Sequence, residues 1–291
     1  MDFKPLQLSD LPRIRPLFHE LGSRTCDFSA GGMFMWRDFF HMEFAFEDGA
    51  FFSRLRGDGQ EHYYSLPLSS DIGASIRKLV AGNAGSSTKF CTIPEMYVPL
   101  FSEAGHVRSV IEQPDFFDYI YAADELITLK GKKYSGTRNQ ISQFIRNVDA
   151  WEFREIRKED LGPVCDFFNR TYLPGSGTGA YEREENAKVL EVLENMDAYG
   201  MTGGVLFADH AIAGFSLNEV IGDTLYTHIE KAARQFKGVY QMLMNQNAAA
   251  FAGDGILYIN REEDMGDPGL RKSKLSYHPI EQLKKYIIEV E

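Results

Sequence analysis

The stretch "HIEKAARQFKGVYQ", residues 228 to 241, carries side chains that could bind an anion and move a proton. It reads as the end of a strand, a short basic loop and the first turn of a helix. Arg234 and Lys237 bring positive charge to the loop, and Gly238 stands where the helix begins. Glycine there would let backbone N–H groups approach a phosphate, and the helix dipole favours the anion. Gln235, Phe236, Lys237 and Gly238 are therefore a candidate anion cradle, with an ordinary strand-to-helix turn as the alternative. His228 and Glu230 alternate on the strand before the loop and share one face, where either could accept a proton. A polar strand edge, with Glu230 paired to a lysine, would explain them too.

Two further basic clusters stand out against a formal net charge of −11. "LKGKKYSGTR" carries Lys130, Lys132, Lys133 and Arg138 without an acid, and "LRKSKLSYH" carries Arg271, Lys272 and Lys274. Solvated helix faces would account for both. The sharper expectation brings Lys132, Lys133 and Arg138 close to Arg261, Arg271 and Lys272, at a cleft between two lobes that binds phosphate or carboxylate. Like charges repel by about 1 kcal/mol per close pair in water, so convergence implies an anion that relieves them. For Arg261 alone, an ion pair with Glu262, Glu263 or Asp264 is the plainer expectation.

The acidic balance disfavours general coating of nucleic acid, so DNA is not an expected partner. With 44% hydrophobic and 25% charged residues, the composition is that of a soluble globular chain. No apolar run approaches the length of a membrane span, although contact with a membrane surface stays open. "MDFKPLQLSD" lacks the basic start and apolar core of a signal peptide. Cys26, Cys91 and Cys165 are scattered and odd in number, which points to a reducing cytoplasm. His-Glu-x-x-His, Cys-x-x-Cys, Gly-x-Ser-x-Gly and Walker patterns are missing, so no metal is expected. "PGSGTGAY" at 174–181 looks like a dinucleotide loop but follows a helix, which suits a flexible acceptor-side loop better.

The elements that must position these residues come in two copies. "FKPLQLSDLPRIRPLF" from Phe3 and "FREIRKEDLGPVCDFF" from Phe153 align without a gap at an offset of 150 residues. Phe3, Asp10, Leu11 and Phe18 recur as Phe153, Asp160, Leu161 and Phe168. Each copy predicts a short strand and then a helix with an Asp at its N-cap. Ile14, Leu17, Phe18 and Leu21 mark the buried face of the first helix, and Val164, Phe167, Phe168 and Tyr172 that of the second. A duplicated α/β chain follows, with an N-terminal lobe over 1–150 and a C-terminal lobe over 151–291. In the second lobe a further helix begins at "EREENAKVLEVLENM". Three hairpin-linked strands come next ("MTGGVLFAD", "AIAGFSLNEVIG", "DTLYTHIEKA"), then the basic loop, the helix "VYQMLMNQNAAAFA" and the strand "ILYIN".

This order resembles the GNAT acyltransferase superfamily, whose loop after the fourth strand reads [Arg/Gln]-x-x-Gly-x-[Gly/Ala]. Gln235 and Gly238 match that loop and Tyr240 departs from it. "LKGKKYSGTRNQISQF", "HIEKAARQFKGVYQ" and "INREEDMGDPGLRKSKLSYHP" together resemble the phosphatidylglycerol lysyltransferase C-terminal domain family. That family is a tandem GNAT arrangement related to enzymes that take an aminoacyl group from charged tRNA. The resemblance implies tandem GNAT-like domains, each a mixed, mostly antiparallel sheet flanked by helices. It also implies an acyltransferase that uses aminoacyl-tRNA or acyl-CoA as donor, an amine or hydroxyl as acceptor, and no tightly bound cofactor. His228 or Glu230 would then take the acceptor's proton, and Tyr277 would protonate the leaving group. Arg234, Gln235, Lys237, Gly238 and the basic clusters would hold the donor. Tyr240 at the small position motivates the alternative, a non-catalytic GNAT-fold protein that binds an anionic ligand. Oligomeric state is not legible in these residues.

Overall fold

The computed structural model describes residues 1–57, 61–83, 85–175 and 180–291. The centre of the glycine-rich stretch 174–181, and with it the expected acceptor-side loop, lies outside them.

The first strands are β1 (Lys4–Pro5), β2 (Glu43–Glu47), β3 (Ala50–Arg56), β4 (His62–Tyr64), β5 (Thr88–Pro94) and β6 (Val107–Glu112). Then come β7 (Asp118–Ala122), β8 (Trp151–Glu155), β9 (Thr202–Ala208), β10 (Ala211–Ile221), β11 (Thr224–Ala232), β12 (Tyr258–Asn260), β13 (Glu281–Leu283) and β14 (Lys285–Val290). Helices in the first half are α1 (Leu11–Leu21), α2 (Ala30–Met35), α3 (Ile72–Gly82), α4 (Ala123–Thr128) and α5 (Ser135–Arg146). The second half adds α6 (Leu161–Tyr172), α7 (Ala180–Glu194), α8 (Met196–Tyr199), α9 (Val239–Phe251) and α10 (Pro268–Leu275). Among the described residues, no helix is long and apolar enough to cross a membrane.

The 150-residue echo is reproduced in three dimensions. Ile14 and Phe18 are fully buried on α1, as Val164 and Phe168 are on α6. Asp10 and Asp160 do not cap these helices from the N-cap with their side chains. Each instead ends a short 3-10 turn, where its carboxylate accepts from the N–H three residues back, Gln7 at 3.0 Å and Arg157 at 2.8 Å. Such a bond satisfies a backbone donor that the turn would otherwise leave orphaned.

Each copy builds a sheet, and the two sheets share one plan. The first runs β1-β2-β3-β4-β5-β14-β6 and the second β8-β9-β10-β11-β12-β7-β13. In both, the first three pairings are antiparallel, the fourth is parallel and the fifth is antiparallel. The sixth place is filled by a strand from the opposite half of the sequence, β14 in one sheet and β7 in the other. The compact units divide accordingly. One comprises Met1–Asp118, Glu263–Pro268 and Gln282–Glu291; the other comprises Tyr119–Glu262 and Gly269–Glu281. Residues 119–150 thus pack with the second unit, where β7, α4 and α5 lie, so its border is displaced from the repeat junction at 150. Periodicity marks a strand, but it does not say which edge will accept it.

Candidate functional site

The pairing of β11 with β12 stops at Tyr226 and Asn260, while β11 continues to Ala232. Beyond that point side chains bridge the two segments. Arg261 Nε lies 3.1 Å from Glu230 Oε2, and Nη2 also binds that oxygen. His228 Nδ1 lies 2.6 Å from Glu262 Oε1, and Nε2 lies 3.3 Å from Glu219 Oε2. A β-bulge sets this up: Leu217 pairs with Ile229 and Asn218 with Thr227, which leaves His228 as the extra residue. Bulges of this kind re-aim a side chain. Glu262 adopts a left-handed backbone (φ 57°), with its N–H 2.6 Å from Asn260 Oδ1. Outside glycine that conformation persists only where the surroundings impose it, as at binding sites.

His228 is enclosed. Burial alone would lower its pKa, but the bonds to Glu219 and Glu262 prevail and raise it to about 9. The imidazole therefore already carries its second proton at neutral pH, so the expectation that it serves as a free base does not fit this geometry. The stability it contributes is fully present below the ordinary histidine range and is lost as pH rises through about 9. Unfolding free energy should accordingly fall between pH 7 and pH 10, by an amount on the order of 3 kcal/mol at most, and the melting temperature should fall with it. In His228→Gln that fall should shrink; an unchanged slope would show that another group is responsible.

Arg261 passes over the ring of Tyr277 at 4.8 Å and that of Tyr121 at 5.9 Å. Burial opposes its charge, but Glu230 holds it firmly protonated. Glu230 is thus bonded to an arginine rather than a lysine, and the expected local ion pair of Arg261 with Glu262, Glu263 or Asp264 is replaced by one 31 residues away. Arg261 Nη1 is buried and has no hydrogen-bond partner among the described residues. Tyr277 is 2% exposed, and burial raises its pKa, so its phenol keeps the proton it would have to donate.

The loop at 234–238 answers differently from the sequence expectation. Gly238 has φ 82°, and a Cβ there would lie 2.0 Å from the carbonyl oxygen of Gln140 on α5. Close helix packing requires the glycine, and the approach of a phosphate is not needed to explain it. Phe236 N donates to Ala233 O at 3.1 Å and Val239 N to Phe236 O at 3.2 Å, which closes an ordinary turn. The Phe236 ring packs edge-on to Phe144 at 6.3 Å. Tyr240, at the family's small position, lies 2.8 Å from the hydroxyl of Tyr172, which in turn engages both backbone groups of Ala232. Arg234, Gln235 and Lys237 remain exposed.

Both basic clusters belong to the second unit. They meet through backbone: His278 Nε2 lies 3.1 Å from Lys133 O, and Tyr134 Oη donates to Tyr277 O at 3.1 Å. Lys133 pairs with Glu125 at 2.7 Å. Arg138 is structural, because its Nη1 bonds the carbonyls of Leu129 and Gly131 just after α4. Lys132 and Lys272 are exposed, and Arg271 is half-buried. Lys274 turns inward instead, with Nζ 2.5 Å from the carbonyl of Arg261. Glu219 and Tyr121 were not legible as site residues. Glu219 lies on a strand of alternating pattern, and only the bulge opposite it brings His228 within reach.

Two sheets of one plan, each with a parallel pair set among antiparallel ones and with flanking helices, make a tandem GNAT-like fold. The chain matches the phosphatidylglycerol lysyltransferase C-terminal family over residues 18–289, and it belongs to that family. A solved protein of unknown function from Bacteroides thetaiotaomicron is 29% identical, with a TM-score of 0.87 over 100% of both chains. The C-terminal domain of a candidate lysylphosphatidylglycerol synthetase from Agrobacterium fabrum is similar in fold, with a TM-score of 0.70 at 16% identity over 97% of this chain and 91% of that one. An uncharacterized protein of Mycoplasmoides gallisepticum is 25% identical over 175 residues, 60% of this chain; those residues span 56% of that protein, about half its length. Family and fold support a transferase-type function.

Proposed function

We propose that this chain transfers an acyl or aminoacyl group from a phosphate-containing donor to an amine or hydroxyl acceptor, at the site around Arg261. The observation that carries this reading is the unspent, buried Nη1 of Arg261. A buried cationic donor without a partner is costly unless a ligand supplies one. An ester carbonyl placed there would develop its negative charge against a preorganised N–H, which is the strongest common form of catalytic stabilisation. Tyr277, whose ring lies under the guanidinium, is the candidate donor of a proton to the leaving oxygen. Both Arg261 contacts fall on Glu230 Oε2, so Oε1 is the candidate acceptor for the proton of the attacking group. Exposed Arg234, Lys237, Lys132 and Lys272, with Lys133 and Arg271, would attract the donor's phosphates.

Of the two donors, aminoacyl-tRNA suits the loop better than acyl-CoA, because Gln140 and Tyr240 occupy the space a tight pyrophosphate cradle would need. The same packing of Phe236 and Tyr240 favours a second reading, a protein that binds the anion without reacting. Equilibrium titration with aminoacyl-tRNA and with acyl-CoA tests the first step. Binding of the tRNA, weakened as salt rises, is expected. Failure of both donors to bind would remove the transferase reading.

A further inference from the structure

The first unit buries a second cluster to which acyl transfer gives no task. Lys285, the first residue of β14, has a fully buried side chain, with Nζ 2.6 Å from Asp27 Oδ2 and 2.8 Å from Asp118 Oδ1. Glu263 Oε2 lies 4.0 Å from the same nitrogen. The Sγ of Cys26, in the turn Cys26–Phe28, lies 3.5 Å from Lys285 Nζ, 2.9 Å from Glu263 Oε2 and 3.3 Å from Asp118 Oδ1. Cys26, Asp27 and Asp118 have the spacing of a cation site, but the ammonium of Lys285 already stands among them. A thiol and an ammonium thus stand 3.5 Å apart, 259 residues apart in sequence, among three carboxylates.

We propose that Cys26 and Lys285 become joined through a single oxygen atom, as Sγ–O–Nζ, when the protein is exposed to dioxygen. The S–H bond, two N–H bonds of the ammonium and the O–O bond break, and one S–O and one O–N bond form. Four electrons leave sulfur and nitrogen and reduce both oxygen atoms. One of these stays in the bridge and the other leaves as water with two of the three hydrogens; the third departs as a proton. Asp27 is suited to receive that proton, since burial holds its pKa up at about 6 against the pull of Lys285. Its side chain is 22% exposed and that of Glu263 15%, which gives a small oxidant a way in. A thiol reductant would supply the electrons that reopen the bridge. The bond would fasten β14 into the first sheet and restrict the unfolded chain as any long cross-link does.

The wild-type protein itself provides the test. One portion is purified under air and another anaerobically with dithiothreitol; both are then denatured, alkylated and digested with trypsin. In the aerobic portion, peptide 25–37 should be found joined to peptide 285–291, at their summed mass plus one oxygen and less two hydrogens. Cleavage after Lys285 should be lost in that species, and dithiothreitol should release both peptides. Cys91 and Cys165 should be alkylated in both portions. Complete alkylation of Cys26 in the aerobic portion overturns the proposal. So does oxidation confined to sulfur, with cleavage after Lys285 intact.

Discussion

Gly238→Ala is expected to lower the stability of the chain by about 3 kcal/mol. Left-handed backbone costs an L-residue roughly 1–2 kcal/mol, and overpacking adds about 1–3 kcal/mol. Both apply, because φ is 82° and the new methyl would meet the Gln140 carbonyl at 2.0 Å. Gly22 is the matched control: φ is 63°, but nothing lies within 4 Å of a Cβ placed there. Gly22→Ala should therefore cost only the backbone part, about 1 kcal/mol. Urea midpoints of the two variants separate the contributions. Equal losses would mean that α5 moves aside freely, and the loop would regain the room that a phosphate cradle needs.

Arg261 should show the largest functional effect. Its removal strands Glu230, whose side chain is only 13% exposed, and breaking a buried pair from one side costs about 3–5 kcal/mol. Arg261→Ala will therefore lose stability as well as activity, and cannot separate the two. Arg261→Met combined with Glu230→Gln removes both charges at similar volume and should keep the fold close to wild-type stability. Transfer in that double variant should fall by roughly 100-fold or more, the usual cost of losing one oxyanion donor. Loss of activity with an unchanged melting curve would assign the pair to chemistry. Retained activity would return it to structure.

The opening helix of each half, α9 and the hairpins were legible because each follows from local periodicity. β2 and β3 turn at Asp48 and Gly49, β9 to β11 fall within the three expected strands, and α9 begins directly after Gly238. The duplicated opening was legible for the same reason. The exchange of β7 and β14 was not, since the sheet that a short strand joins is set by tertiary pairing. The site divides along the same line. Arg261, Glu230 and Tyr277 could be named from their chemical types, but the contacts among them depend on where β11 and β12 stop pairing. His228 stood as one of two candidate bases, beside a plain polar strand edge, because sequence cannot show two carboxylates closing on one imidazole. Gly238 fitted a phosphate loop by motif, whereas the carbonyl of Gln140, about a hundred residues earlier, is what requires it.

One measurement bears most directly on the assignment of acyl transfer to the Arg261 site. Radiolabelled aminoacyl-tRNA is incubated with the protein, phosphatidylglycerol vesicles and ethanolamine, and label is followed from tRNA to lipid and to amine. The wild type is predicted to move label to one acceptor faster than the spontaneous loss from tRNA. The Arg261→Met, Glu230→Gln variant should bind the tRNA as tightly but leave the label where it was. If label stays on the tRNA with wild-type protein, or if the double variant transfers as well as the wild type, the account is contradicted.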